Sequence, residues 1–344
     1  MKKELDLRTS YYSASLDMKA LWYSLIFSLV CILTFLLSTG IGDYYLSPVE
    51  VLQTLIGAGD PRMELIVYTF RLPRALIALM VGISLAVSGS ILQSLVRNPL
   101  ASPDIIGITG GASAGAVGFL AFASGASIVW QPIAAFVCGI ITAFLIYLFA
   151  WKEGISPMRL ILIGIGFNAA AQALTTLFLI KSPIYTASQS SMWLAGSIYS
   201  SSWKTVHLLL PWLLFFLVCT FFIVRHLNVQ QLGEDIAKGL GTSLQWNQFL
   251  LVIISVALAS AAVAAAGPIG FIGLMAPHIA RMLVGPIVSS YLPVAACIGG
   301  ILLLVADMIA RTAFAPLDLP AGIFTAILGA PFVIYLLYHH GRKA

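Results

Sequence analysis

The sequence predicts an all-α, polytopic membrane protein with about ten transmembrane helices. Of its 344 residues, 60% are hydrophobic and only 9% are charged, whereas soluble domains carry about 25% charged residues. Apolar runs recur along the whole chain, and each is long enough to cross a hydrocarbon core about 30 Å thick as a helix. No soluble domain is visible between these runs, so we predict a single transmembrane domain over residues 1–344.

Ten apolar segments meet the length criterion of about 20 residues for a spanning helix. The second is long enough to tilt or protrude, whereas the eighth is short and begins at GPIGFIG, where Gly and Pro disfavour a regular helix. The predicted spans are 20–40, 65–96, 105–123, 132–151, 158–180, 206–226, 247–266, 268–284, 291–311 and 321–339. Polar connectors fall at 41–64, 97–104, 181–205 and 227–246.

The distribution of Lys and Arg predicts the orientation of these spans. If residues 1–19 are cytoplasmic and the spans alternate, most of the 18 Lys and Arg residues lie in the cytoplasm, as the positive-inside rule requires. Both termini are then cytoplasmic, and residues 1–19 are too polar to be a cleaved signal. This orientation leaves Arg71, Arg74 and Arg311 on the outer side, where the rule least expects them.

The sequence shows no catalytic, metal-binding or nucleic-acid-binding pattern. It has no G-x-x-x-x-G-K-[ST] loop, so we do not expect the chain itself to hydrolyse ATP. The five histidines and four cysteines lack the spacing of metal ligands. The net charge of +5 does not come from a basic cluster interleaved with aromatic residues. We therefore expect no cofactor, no metal, no nucleic-acid partner and no enzyme activity.

Two stretches rich in small residues predict close helix packing. GITGGASAGAVG contains Gly111 and Gly115 at small-xxx-small spacing, and ASAAVAAAGPIG, residues 259–270, is almost entirely small. Small side chains let membrane helices approach closely. A nucleotide-binding interpretation of these glycines is weak, because neither stretch follows a strand of a soluble fold.

The fifth span carries a polar stripe. Its members share one helix face, at positions i, i+4, i+7 and i+8. Such a stripe can line a wet pathway or form hydrogen bonds to a neighbouring helix, and the pattern leaves both open. The stripe consists of Asn168, Gln172, Thr175 and Thr176.

Charged residues near the predicted outer side form two close pairs. Arg71 and Arg74 are three apart and share one helix face, and Asp307 and Arg311 are four apart and can pair along their helix. Such arginines can snorkel to phosphate headgroups or bind a partner, and the residues alone leave both open. An ion-coupled secondary transporter would need more buried ionisable groups than the spans contain.

The connector 227–246, NVQQLGEDIAKGLGTSLQWN, carries an amphipathic pattern on the predicted cytoplasmic side. Ile236, Leu240 and Leu244 recur at i, i+4 and i+8. This spacing predicts a short helix that offers an apolar edge to a cytoplasmic partner, and the alternative is an ordinary interfacial connector.

Several motifs resemble those of one transporter family. RLPRALIALMVGISLAVSGSILQSLVRNPLASPDIIGITGGASAGA is similar to the signature of the FecCD-type permeases, the membrane subunits of ABC importers for iron–siderophore complexes, haem and cobalamin. The similarity continues in order through MWLAGS, LGEDIAKGLG, AGPIGFIGLMAPHIAR, ADMIAR and LPAGIFTAILGAPFVIYLL. It covers almost the whole chain except the first twenty residues.

The resemblance implies a function and a set of partners. It implies ten helices, with helices 2–5 and 7–10 as an inverted repeat, in the bacterial cytoplasmic membrane. The chain is expected to import ferric siderophores through a pore formed with a second permease subunit, identical or paralogous. Cytoplasmic ATP-binding subunits and an extracytoplasmic substrate-binding protein complete the importer. Cobalamin or haem import is the alternative within this class, and an ion-coupled secondary transporter is the alternative outside it.

The resemblance also implies roles for particular residues. Arg71, Arg74 and Arg311 are expected to bind glutamates on the two lobes of the binding protein. Independently of the resemblance, the polar pattern predicts that Asn168 and Gln172 face the substrate path between the two permeases. A coupling helix that docks into the ATPase is expected within the 227–246 loop. Its matched positions are Gly233, Glu234, Ala237, Leu240 and Gly241.

Overall fold

A computed structural model describes the chain from residue 4 to residue 340 with short gaps. The described residues are 4–9, 12–42, 44–123, 127–151, 157–231, 239, 244–315 and 317–340. Within them the fold is all-α, as predicted, apart from two short strands ahead of the first membrane helix. These strands, β1 Glu4–Thr9 and β2 Tyr12–Asp17, pair in antiparallel fashion, in a segment for which the sequence predicted no element.

The helices follow one another in chain order, and one wide π-helical turn, Ile66–Arg71, joins the third to the fourth. Their bounds are α1 Met18–Gly40, α2 Pro48–Leu55, α3 Pro61–Leu65, α4 Leu72–Val96, α5 Ile108–Phe122, α6 Trp130–Ala150, α7 Pro157–Lys181, α8 Ile184–Leu194, α9 Trp203–Gln231, α10 Leu244–Ala266, α11 Ile272–Val284, α12 Val288–Thr312 and α13 Ala321–His340.

The predicted spans correspond to helices of this bundle. Eight helical segments of the described chain are long and apolar enough to cross a membrane, and the one that contains α4 runs from Pro61 to Val96. The predicted third and eighth spans are the shorter apolar helices α5 and α11. The predicted sixth span, 206–226, lies inside the longer helix α9, Trp203–Gln231.

The polar connectors contain helices that hydropathy could not reveal. In the 41–64 connector, α2 begins with a capping box: the Ser47 N–H donates to Glu50 Oε2 at 2.7 Å, and the Glu50 N–H donates to Ser47 Oγ at 3.3 Å. These bonds lower the pKa of the Glu50 carboxyl, and they satisfy donors that a helix start leaves unpaired. The 181–205 connector contains α8.

Helices α4 and α10 form the centre of the bundle, and both are buried along most of their length. They touch where the Ser88 hydroxyl donates to the Ser255 carbonyl at 2.8 Å. A Cβ at Gly89 would overlap the carbonyl of Gly273, so α4 meets α11 at backbone distance. Small residues are what permits such approach in a membrane, where helices gain little from burying apolar surface.

The predicted packing of α5 is also confirmed. A Cβ on Gly111 would overlap the Thr142 side chain of α6, and one on Gly115 would overlap Cys138. The small-xxx-small spacing therefore marks the face of α5 that meets α6.

The two halves of the chain repeat one arrangement of helices. Each contains a long central helix, a break, a short helix and two further long helices: α4 to α7 and α10 to α13. The end of α4 contacts the end of α9, because Arg97 Nη2 donates to the Gln230 carbonyl at 2.6 Å. Since α10 begins at Leu244, shortly after α9 ends, the two central helices run in opposite directions. This is the arrangement of an inverted repeat.

Candidate functional site

The three predicted arginines lie together at one end of the bundle, which we call the arginine end. The π-helical turn Ile66–Arg71 leads into α4 here, and the Leu72 N–H bonds to the Val67 carbonyl, five residues earlier. The next residue, Pro73, has no N–H and would crowd a regular helical turn. Wide turns of this kind are frequent at functional sites.

Arg71 is buried, with 8% of the residue exposed, and its donors point into the protein. Its Nη1 donates to the carbonyls of Gly40 at 2.7 Å and Thr39 at 3.3 Å, and its Nη2 donates to the carbonyl of Tyr44. The last carbonyls of a helix lack intrahelical donors and favour a cation. Arg71 therefore fixes the end of α1.

Arg74 binds two carboxylates at once. Its Nε donates to Asp307 Oδ1 at 3.0 Å, and its Nη2 lies 2.9 Å from the same oxygen. Its Nη1 and Nη2 donate to the two oxygens of Asp318 at 3.2 and 3.1 Å, as a bidentate pair. The guanidinium also lies 5.9 Å from the ring centre of Tyr199. Arg74 thus joins α4, α12 and the loop before α13.

Arg311 completes the cluster from the end of α12. Its Nη2 donates to the Ser38 carbonyl and, at 3.0 Å, to the Ser38 hydroxyl. Its Nε lies 3.8 Å from Asp307 Oδ2. The sequence predicted that Asp307 can pair with Arg311 along their helix. The structure places Asp307 closer to Arg74, at 2.9 Å, and within 3.8 Å of Arg311.

The cluster therefore holds three cations and two carboxylates that differ in exposure. The Asp307 side chain is 1% exposed and the Asp318 side chain is 31% exposed. Sequence reasoning missed Asp318, although it is an acidic residue in a short loop on the same predicted side as the arginines. The chain separation of 244 residues between Arg74 and Asp318 hid the contact.

A polar groove lies on the side of the bundle formed by α5, α7 and α8. It has a volume of about 450 Å³. All four residues of the predicted stripe line it, together with polar residues of α5 and the two helix breaks. The polar lining comprises Asp104, Thr109, Ser113, Asn168, Gln172, Thr175 and Thr176.

The threonines of the stripe use their hydroxyl protons within their own helix. Thr175 donates to the Ala171 carbonyl at 2.8 Å and Thr176 donates to the Gln172 carbonyl at 3.0 Å. Gln172 and Thr176 are exposed, and Asn168 is half-buried beside Gly110. All four stripe residues thus line the groove, and their role in a wet pathway stays a prediction.

The predicted coupling residues lie outside the described residues, which resume at α10. They are Gly233, Glu234, Ala237, Leu240 and Gly241. The helix that leads into this loop, α9, is held at its end. Besides the Arg97 contact, the Asn228 side chain accepts a bond from the Val288 N–H and donates to the Ser289 hydroxyl, both at 2.9 Å.

The described chain is thus a multi-pass helical bundle with a polar groove along its side and a charged cluster at one end. The chain belongs to the FecCD transport family, whose profile matches residues 30–339.

Known relatives and a solved structure are similar to this chain over most of their own length. The chain is 49% identical to the probable siderophore transport system permease protein YfhA of Bacillus subtilis, covering 88% of this chain and 90% of that protein. It is 46% identical to the achromobactin transport system permease protein CbrC of Dickeya dadantii, covering 87% and 86%. A metal-chelate type ABC transporter in an inward-facing conformation matches with a TM-score of 0.83 and 33% identity, covering 92% of this chain and 98% of that one.

Proposed function

We propose that this chain is the permease subunit of a binding-protein-dependent ABC importer for ferric siderophores. The polar groove between α5 and α7 carries this proposal, because it offers a row of amides and hydroxyls along an otherwise apolar bundle. Hydroxyls and amides suit the oxygen-rich surface of a chelate better than an apolar wall does. The siderophore permeases among the relatives support this cargo.

The groove represents one half of the proposed path. It is open along the side of a single chain, where its lining residues Gln172 and Thr176 are exposed. A second permease, identical or paralogous, closes the path by presenting its own α5 and α7. We place both in the cytoplasmic membrane of a bacterium, with both termini in the cytoplasm.

Uptake measurements test the cargo directly. A strain that lacks this gene should lose uptake of a radiolabelled ferric siderophore, and the wild-type gene should restore it. Normal siderophore uptake in the deletion strain, together with impaired cobalamin or haem uptake, would overturn the assignment of ferric siderophores as the cargo.

Cysteine labelling tests the path. In a background without the four native cysteines, Asn168→Cys and Gln172→Cys should react with a membrane-impermeant thiosulfonate, because this reagent attacks only thiolates in contact with water. Leu174→Cys lies on the same helix, is exposed and does not line the groove, so it serves as the matched control. We expect labelling of the groove cysteines at least about tenfold faster, since thiolates form readily only in water. Equal rates at all three positions would contradict the path.

The arginine end is the proposed docking surface for the extracytoplasmic binding protein. An arginine stays charged and offers a planar fork that matches a carboxylate. Among the three arginines, Arg74 already binds a partly exposed carboxylate with this fork, whereas Arg71 and Arg311 direct donors to the end of α1. Arg74 is therefore the principal contact, and Arg71 and Arg311 support the surface around it.

Arg74→Gln should weaken docking of the substrate-binding protein encoded with this permease. Removal of one partner of a close interfacial charge pair commonly costs ~2 kcal/mol or more, so we expect at least about a tenfold rise in Kd. The matched control is Arg62→Gln, which removes the same charge from the exposed helix α3 at the same end. Equal docking by wild type and Arg74→Gln, measured on folded importer in nanodiscs, would return this arginine to a structural role.

The loop 227–246 is the proposed site of ATPase docking. The amphipathic pattern of Ile236, Leu240 and Leu244 supports this role, as does the anchorage of the end of α9 by Arg97 and Asn228 at the start of the loop. ATP hydrolysis then takes place on separate subunits, and the anchored end of α9 passes movement of the ATPase to α4 and α12.

A further inference from the structure

We propose that Asp318 is an internal competitor for the docking site: it occupies the Arg74 fork in the undocked permease, and a carboxylate of the binding protein displaces it. This inference rests on the proposed docking role of Arg74. Asp318 then limits the affinity of the permease for the binding protein. Removing the contact between Asp318 and Arg74 should therefore strengthen docking.

The Arg74 guanidinium uses different edges for its two carboxylates. The Nε edge faces Asp307, with bonds of 3.0 and 3.2 Å to the two oxygens. The Nη1 and Nη2 edge faces Asp318, with bonds of 3.2 and 3.1 Å to its two oxygens. This second arrangement is the parallel, two-bond geometry with which arginine recognises a carboxylate. The Asp318 carboxylate thus has the position and geometry that a docked glutamate needs.

The two carboxylates differ in how easily they can leave. Asp307 is almost fully buried and also lies 3.8 Å from Arg311, so its departure would leave Arg311 without its ion-pair partner and Arg74 with Asp318 alone. Asp318 is about one-third exposed, sits in a short loop and pairs with a single arginine. The Arg74 side chain is only 12% exposed, but it stays paired with Asp307 when Asp318 leaves. Water solvates the released Asp318 carboxylate, so this separation costs less than the loss of Asp307. Exchange therefore takes place at Asp318.

The other two arginines offer no equivalent exchange. Arg71 donates to three backbone carbonyls near the end of α1, and Arg311 donates to the carbonyl and hydroxyl of Ser38. The carbonyls of Ser38, Thr39 and Gly40 belong to the main chain of α1 and move only with that helix, and the Tyr44 carbonyl lies in the loop that follows it. A rigid partner can therefore replace the acceptor of Arg74 alone.

The exchange has a consequence for selectivity. While Asp318 is bound, the fork of Arg74 is neutralised, so weak anions such as lipid phosphate do not occupy it. A binding protein succeeds because it brings further contacts that offset the displaced ion pair. Asp318 thereby lowers the affinity of every anionic partner for Arg74 by a similar amount. Only the binding protein, which makes further contacts elsewhere on the permease, then stays bound.

The test measures docking of the substrate-binding protein encoded with this permease on importer in nanodiscs. We expect Asp318→Asn to lower Kd about fivefold, equivalent to ~1 kcal/mol, and Asp318→Glu, which keeps a competing carboxylate, to stay near wild type. Glu64→Gln removes the same charge from α3 at the arginine end and is expected to change Kd by less than about twofold, since it lies outside the cluster. Thermal unfolding of each variant establishes that it is folded.

The outcomes separate this inference from the function on which it rests. If Asp318→Asn docks more weakly or equally well, Asp318 orients Arg74 or is irrelevant, and the exchange is wrong. A tightening matched by Glu64→Gln would reduce the effect to general electrostatics and would also overturn it. If Arg74→Gln leaves docking unchanged, the docking role itself fails. Weaker docking by Arg74→Gln without tighter docking by Asp318→Asn removes the exchange alone.

Discussion

Gly89→Ala is expected to destabilise the folded bundle and to lower the amount of protein that accumulates. The new Cβ would overlap the backbone carbonyl of Gly273, so α4 and α11 would have to separate. A side-chain neighbour could rotate away, but a backbone neighbour can only move with its helix. Overpacking of a tight core typically costs about 1–3 kcal/mol and sometimes more. At the centre of the bundle we expect the upper part of this range, measured as a fall in Tm and in yield from the membrane.

Gly166→Ala is the matched control for this variant. Gly166 also lies within a membrane helix, but it is exposed and a Cβ there meets nothing within 4 Å. Alanine is a better helix former than glycine, so we expect this variant to be at least as stable as wild type. Equal loss of stability in both variants would show that the Gly89 effect does not come from the contact with Gly273.

Asp307→Ala is expected to produce the second large loss of stability. Asp307 is 1% exposed and lies within 2.9 Å of Arg74 and 3.8 Å of Arg311. Removing it leaves two largely buried guanidinium groups without their common counter-ion. Breaking a buried ion pair in this way costs about 3–5 kcal/mol. Thermal unfolding of the purified protein in detergent measures this cost.

Asp318→Ala removes the other carboxylate of the same cluster and serves as the comparison. Because Asp318 is 31% exposed, we expect a loss of at most about 1 kcal/mol. The double variant Asp307→Ala with Arg74→Ala should recover part of the stability lost in Asp307→Ala, since it removes one of the stranded charges. Similar losses for the two single aspartate variants would show that Asp307 is not the centre of the cluster.

Local sequence pattern was enough to predict most of the architecture. A spanning helix requires about 20 apolar residues in succession, so the long helices could be read directly, and α5 and α11 appeared as two further apolar segments. The stripe of Asn168, Gln172, Thr175 and Thr176 was also predictable as one face, because helical periodicity depends only on spacing within a segment. The glycines of α5 predicted close packing for the same reason.

Features that depend on capping or on backbone geometry were less accessible. The helix α2 owes its start to bonds between Ser47 and Glu50, and its sequence looked like a polar connector on the hydropathy criterion. The π-helical turn before Pro73 likewise leaves no hydrophobic signal. The predicted coupling residues of the 227–246 loop lie outside the described residues, so that assignment stays a prediction.

The sequence by itself determined which segments form apolar helices, which helix faces are polar or small, and that three arginines lie on one predicted side. Only the tertiary structure decided their partners: Arg71 with the end of α1, Arg74 with Asp307 and Asp318, and Arg311 with Ser38. The physical reason is range. Hydrophobicity and periodicity act within one helix, whereas an ion pair depends on distances of a few ångströms between residues that are far apart in the chain.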